Sequence, residues 1–185
     1  PTLGGVALFL AFFIGFSISG FASQTQGYSY FAAAMLMLFF TGVKDDLVGL
    51  SPMKKLAVEV AVGIMLIFGS GIYIENFYGV LGIGELPFVA SIFITLFTMI
   101  VVVNAYNLID GVDGLAGGIG LIASIFFGVG FFVADQYEMA MMSAVVAASL
   151  AGYLLHNFHP ASIFMGDTGS LIIGFLLAVQ AIQFV

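Results

Sequence analysis

Seven apolar runs, Leu3–Ser19, Tyr28–Val43, Leu56–Ile74, Leu86–Val103, Leu115–Ala134, Met139–Leu155 and Leu171–Val185, take up most of this chain. A helix needs roughly 17–25 mostly apolar residues to cross a hydrocarbon core about 30 Å thick. The seven runs meet or approach that length. Within lipid an open sheet would leave backbone amides and carbonyls without partners, so each run reads as a helix. Charged residues are 7% of the chain, against about 25% in a soluble domain. So little polar surface cannot cover a globule in water. The expected fold is an all-α, polytopic transmembrane helix bundle of about seven spans, one integral-membrane domain over residues 1–185.

Alternation across the membrane sorts the loops into two sets. Pro1–Gly5 and three polar islands share one face: Lys44-Asp45-Asp46 through Lys55, Asn104 through Gly114, and His156 through Ser170. The other face carries Ser23–Gly27, Glu75–Glu85 and Asp135–Glu138, which are short and chemically plain. Lys44, Lys54 and Lys55 are the chain's only lysines or arginines, and all lie on the island side. The excess of basic residues on inner loops makes that side cytoplasmic. A net charge of −7 argues against a nucleic-acid partner. The lack of cysteine excludes disulfides, a thiol nucleophile and a thiolate metal site. The first run has no basic flank or cleavage site, so it is not a signal peptide. Small residues four apart, as in Gly114 and Gly118 or Ser170 and Gly174, suit close packing of helix backbones.

The islands carry the chemistry. Asp45 and Asp46 are expected just beyond the second span, where adjacent carboxylates repel and need a cation or proton nearby. Lys54 and Lys55 follow a Ser51-Pro52 turn, with proline suited to the first turn of the next helix. A solvated helix end with topology-setting charges explains this island equally well. Asn104, Asn107, Asp110 and Asp113 recur three apart, so on a helix they share a face. That oxygen-rich ridge suits Mg²⁺, and its spacing is not that of an EF-hand. A polar helix cap would account for one such residue but not for four. In the third island Asp167 sits between Gly166 and Gly169, just before an apolar helix. Thr168 or Ser170 would cap that helix, and its first amides would attract phosphate; Asp167 acting as a plain N-cap is the simpler alternative. Asp167-Thr-Gly-Ser170 also matches an aspartic-protease tetrapeptide. That chemistry needs two aspartates sharing a proton, on a soluble β fold. His156 and His159 read as hydrogen-bonded surface groups, and Glu59, one turn into the third span, as facing the bundle interior.

Pro1–Gly5, Asp45 through Leu56, Asn104–Gly118 and Asn157 through Ser170, taken in order, resemble the linked motifs of the polyprenyl-phosphate N-acetylhexosamine-1-phosphate transferases. This is glycosyltransferase family 4, which includes phospho-MurNAc-pentapeptide translocase. The resemblance implies a Mg²⁺-dependent transfer, with Mn²⁺ as a substitute, of a sugar-1-phosphate from a UDP-HexNAc donor to undecaprenyl phosphate. UMP is released, and the site faces the cytoplasm of a bacterial plasma membrane. It implies metal binding by Asp167 with Asn107, and catalytic roles for Asp45, Asp46, Lys55 and Asp167. Asp45 and Asp46 correspond to an acidic pair that orients or deprotonates the lipid phosphate, and Lys55 to a basic position near the pyrophosphate. Asn104, Asp110, Asp113, Asn157, Phe164 and Gly166 fall on the substrate side, Phe164 near the uracil. The run Asn157–Phe164 looks closer to the N-acetylglucosamine-type initiators of teichoic-acid, O-antigen or exopolysaccharide synthesis than to the pentapeptide translocase, which stays as the alternative. The resemblance admits a homodimer. It also implies further helices on both sides and a downstream histidine-rich motif, so these residues are expected to be a truncated catalytic domain, inactive alone. Glu59 stands where relatives often carry glutamine. A cation transporter would instead place acids near the bilayer midplane on broken helices, whereas here they sit at helix ends. A noncatalytic assembly protein is a third reading.

Overall fold

The computed structural model describes residues 4–19 and 27–185. Pro1, Thr2 and Leu3 of the first motif, and Ser23 to Gln26 of the first plain loop, lie outside the described residues. Among those described there are seven α-helices and no strand: α1 (Gly4–Ile18), α2 (Tyr28–Val48), α3 (Pro52–Ile64), α4 (Phe88–Ile109), α5 (Leu115–Val133), α6 (Tyr137–Asn157) and α7 (Gly166–Phe184). They fall where the seven apolar runs do. α4, α5, α6 and α7 are each long and apolar enough to cross a membrane. α3 runs on through a π-helical turn, Met65–Gly69. The loop before α4 is tied by a lone β-bridge between Asn76 and Glu85.

α7 is the hub. Every residue from Thr168 to Gln180 is buried, as befits a helix that is apolar on all sides. α1, α2, α4, α5 and α6 surround it, and α3 lies outside against α2 and α4. Outward side chains such as Phe93, Phe97, Ile122 and Phe126 are more than half exposed. In a bilayer these are ordinary lipid-facing groups, and the chain is read as a membrane protein.

Backbones approach most closely around the start of α7. A Cβ on Gly42 of α2 would strike the backbone of Thr168, and one on Gly5 of α1 would strike that of Gly169. Gly174 does the same service against Val103 of α4. The close packing expected at Gly114 and Gly118 is corrected at Gly118, which faces open space, and Gly117 and Gly120 meet α6 and Tyr106 instead.

Three helix ends also differ from expectation. α2 continues to Val48, so Asp45 and Asp46 lie within its last turn rather than after it. α4 continues to Ile109, which takes Asn104 and Asn107 into the helix. α7 begins at Gly166, ahead of Thr168 and Ser170, and its N-cap residue, Met165, offers no side-chain cap. At the ends of α2 and α4, tertiary contacts between the islands override the local polarity that suggests earlier stops.

Candidate active site

The three islands meet at one end of the bundle. Gly49, with φ of 74°, lets the chain turn out of α2, and its N–H donates to the Asp45 carbonyl at 2.8 Å. Leu50 N–H donates to Asp45 Oδ1. Pro52 then opens α3, and the N–H groups of Lys54 and Lys55 turn back to the Ser51 carbonyl. This tight reversal sets Lys55 beside Asp45, with Nζ 2.6 Å from Oδ2. The same ammonium lies 2.9 Å from Asp167 Oδ2. Asn107, from the last turn of α4, donates through Nδ2 to Asp167 Oδ1 at 2.7 Å and to Ser170 Oγ at 2.7 Å. Four helices thus contribute Asp45, Lys55, Asn107 and Asp167 to one cluster. Side-chain exposure is 7% for Asp45, 21% for Lys55 and 29% for Asp167, so the last two present its open side. Asp45 is mainly the seat of the lysine.

Asp46 points elsewhere. Its Oδ1 accepts Asp167 N–H at 2.8 Å, and its Oδ2 accepts Thr168 N–H at 3.0 Å and Thr168 Oγ1 at 2.5 Å. Gly166, with φ of 66°, leaves room for that carboxylate: a Cβ there would sit 2.9 Å from both Asp46 oxygens. Asp110, just past α4, accepts the Gly166 N–H. Burial pushes its carboxyl up to about 6, against that hydrogen bond and helped by the charges of Asp167 and Asp46.

The single ridge expected from Asn104 to Asp113 is corrected, because the helix ends partway along it and the four side chains diverge. Asn104 donates to Glu59 Oε2 at 2.6 Å and to the Ile100 carbonyl at 2.9 Å. Glu59 is 2% exposed and its Oε1 has no hydrogen-bond partner. Asp113 accepts Ala161 N–H at 3.2 Å and lies 3.1 Å from His159 Nδ1; these two hold its carboxyl below the usual aspartate range. Asn157 is buried and ties two loops, accepting Gly114 N–H at 3.0 Å and donating to the Ile163 carbonyl at 2.9 Å. Asp113 and Asn157 therefore hold the second island to the third, and neither joins the cluster. Phe164 is 47% exposed, and its carbonyl accepts Gly4 N–H at 3.1 Å, which brings the first motif to the same end. Ser170 was anticipated only as a helix cap. Its bond to Asn107 has no local signal, since the partners are 63 residues apart.

The donor set can be tested against Mg²⁺. Among the described residues no group of three or more His, Cys, Asp or Glu side chains closes around a metal position. Mg²⁺ does not need such a cage, because it commonly takes one or two carboxylates and completes its shell with water and substrate phosphate. Asp45, Asp46, Asp110 and Asp167 gather here, and among the described residues Lys55 is the one lysine ion-paired to them. That surplus of carboxylate charge fits a divalent cation at Asp167. A cavity of about 650 Å³ is elsewhere. It lies between α5 and α6 towards the opposite end, lined by apolar groups such as Val129, Phe132 and Met141.

Residues 28–185 match the family model described as glycosyl transferase family 4. A probable undecaprenyl-phosphate N-acetylglucosaminyl 1-phosphate transferase of Bacillus subtilis is 32% identical over 98% of this chain and 51% of its own length. A decaprenyl-phosphate N-acetylglucosaminephosphotransferase of Mycobacterium tuberculosis is 35% identical over 98% of this chain and 49% of its own. A phospho-N-acetylmuramoyl-pentapeptide-transferase of Bacillus velezensis is 31% identical over 98% of this chain and 60% of its own. The chain spans about half the length of the first two relatives.

Proposed function

Because this chain belongs to glycosyl transferase family 4, we propose that its protein transfers GlcNAc-1-phosphate from UDP-GlcNAc to undecaprenyl phosphate and releases UMP. This would initiate an envelope polysaccharide at the cytoplasmic face of a bacterial plasma membrane. The observation that carries the reading is the four-helix cluster of Asp45, Lys55, Asn107 and Asp167, which gathers charge at one end of an apolar bundle.

The reaction balances without a further reactant. A lipid phosphate oxygen forms a bond to the sugar-side phosphorus, and the bond from that phosphorus to the bridging oxygen breaks. UMP departs with the oxygen and its electron pair. Catalysis of such a step is mostly positioning and charge neutralisation. A phosphate monoester has a second pKa near about 6, so at neutral pH most of the acceptor is already the dianion. The demand on the protein is therefore to hold two anions together rather than to remove a proton. Lys55 offsets donor charge, and Asp45 keeps its ammonium in place. Asp167, with Asn107 beside it, would hold Mg²⁺, which supplies further neutralisation of the donor diphosphate. Asp110 and Phe164 would contact the donor.

The test is product identity. Membranes containing the protein, given UDP-GlcNAc, Mg²⁺ and undecaprenyl phosphate, should yield a lipid that gains one phospho-GlcNAc by mass spectrometry. Transfer only from UDP-MurNAc-pentapeptide would favour the translocase-type donor, and transfer from neither would reject the reading.

A further inference from the structure

The acidic pair at the end of α2 does not act as a pair. Successive residues of a helix point about 100° apart, and these two carboxylates part accordingly. Asp45 turns to Lys55 and Leu50, whereas Asp46 turns to α7. The first four N–H groups of any helix lack partners within it. In α7 no adjacent side chain supplies one, yet Asp167 N–H, Thr168 N–H and Thr168 Oγ1 all reach Asp46. The bond spans 121 residues of sequence. A carboxylate there also sits favourably at the positive end of the helix dipole.

We propose that Asp46 is a positioning residue: it caps α7 from α2 and thereby fixes the direction of Asp167. This rests on the reading of the Lys55–Asp167 cluster as the transfer site. Two steric features enforce the same seam. Gly42, one turn before Asp46, meets the backbone of Thr168, and Gly166 gives up any side chain to the Asp46 carboxylate. Thr168 is buried at 1% exposure, and Asp46 is the partner of both its hydroxyl and its amide. An uncompensated buried polar group is costly, and the first turn of α7 would unwind to relieve it. Asp167 is the second residue of that turn, so it would lose its register with Lys55 and Asn107. Asp46 thus serves the reaction through the backbone of Asp167 without touching substrate.

The experiment compares Asp46→Ala and Asp46→Asn with the parent in membranes or detergent, by UMP release and by backbone hydrogen–deuterium exchange over residues 166–171. Asparagine retains an acceptor oxygen and is itself a good cap. In Asp46→Ala, exchange in that turn should rise by about tenfold or more, and kcat should fall by about 100-fold as the reacting groups lose alignment. Asp46→Asn should keep kcat within about tenfold of the parent, since one capping bond survives, and its pH–rate profile should keep the parent's shape. Unchanged exchange in Asp46→Ala would overturn the proposal. So would an Asn variant as inactive as the Ala variant with one limb of the pH profile missing, which would make Asp46 a titrating participant. If the parent releases no UMP from any UDP-HexNAc, the transferase reading fails, and exchange in the two variants still decides whether Asp46 caps α7.

Discussion

Lys55 Nζ lies 2.9 Å from Asp167 Oδ2, although 112 residues separate the two along the chain. The contact joins the start of α3 to the start of α7, and with Asp45 it places one ammonium between two carboxylates. Removing the ammonium leaves those carboxylates facing one another with little water between them.

Lys55→Met should therefore lose both activity and stability. Breaking a partly buried pair by deleting one member costs about 3–5 kcal/mol when burial is full, and solvent access here should reduce that to about 1–3 kcal/mol. Transferase kcat should fall by about 100-fold or more, as for loss of a charge-stabilising donor. Lys55→Arg should recover part of each. Steady-state UMP release and thermal unfolding read the two effects separately, and a Met variant with parental kcat would remove Lys55 from the site.

Asp110 gives a pH prediction. Its carboxyl is raised to about 6 in the folded protein, first by burial, so the folded state binds a proton more tightly than the unfolded one. The stability tied to that proton is present below the unfolded value near about 4 and is lost as pH rises through about 6. Asp110→Asn, neutral at every pH, should melt a few degrees (~2–5 °C) above the parent at about pH 7.5. The gap should close by about pH 4.5, where the parent is protonated too. A constant gap across that range would show that Asp110 does not titrate in this window.

Gly42→Val tests the close approach of α2 to α7. The added side chain meets the Thr168 backbone rather than a movable side chain, so overpacking should cost about 1–3 kcal/mol or more. Gly118→Val, facing open space, should cost well under that, since it disturbs only local helix propensity. Comparable melting temperatures for the two variants would contradict the packing described for α7.

Much of this arrangement was legible in the sequence. The apolar runs mark where the seven helices lie, and four of them, α4 to α7, have the length and hydropathy that bilayer thickness sets. Strict alternation brought Asp45, Lys55, Asn107 and Asp167 to one end, where the structure joins them. The division of labour was not legible. Asp45 and Asp46 are neighbours of one type, and only the direction of α2 relative to α7 separates the anchor of Lys55 from the cap of α7. Asn157 and Asp113 look like site residues by composition. In the structure they tie two loops together: Asn157 accepts Gly114 N–H from the turn after α4, and Asp113 of that turn accepts Ala161 N–H from the loop after α6. Such bonds depend on where two distant segments cross, and no local pattern encodes that.

Gln180 is buried in α7 with neither amide oxygen nor nitrogen hydrogen-bonded. An unpaired buried polar group costs about 1–3 kcal/mol, so Gln180→Leu should unfold at higher temperature or denaturant concentration with UMP release unchanged. A destabilised Leu variant would mean that Gln180 has a partner in the assembled protein.

Asp167 carries the central claim, since the cluster, the proposed metal and the proposed cap all converge on it. The most direct measurement is UMP release from UDP-GlcNAc by membranes containing the protein, with undecaprenyl phosphate, with and without Mg²⁺, for the parent and for Asp167→Asn. The expected result is Mg²⁺-dependent release by the parent and a loss of about 100-fold or more in the variant. Parental release by Asp167→Asn, or no UMP from any UDP-HexNAc with the parent, would contradict it.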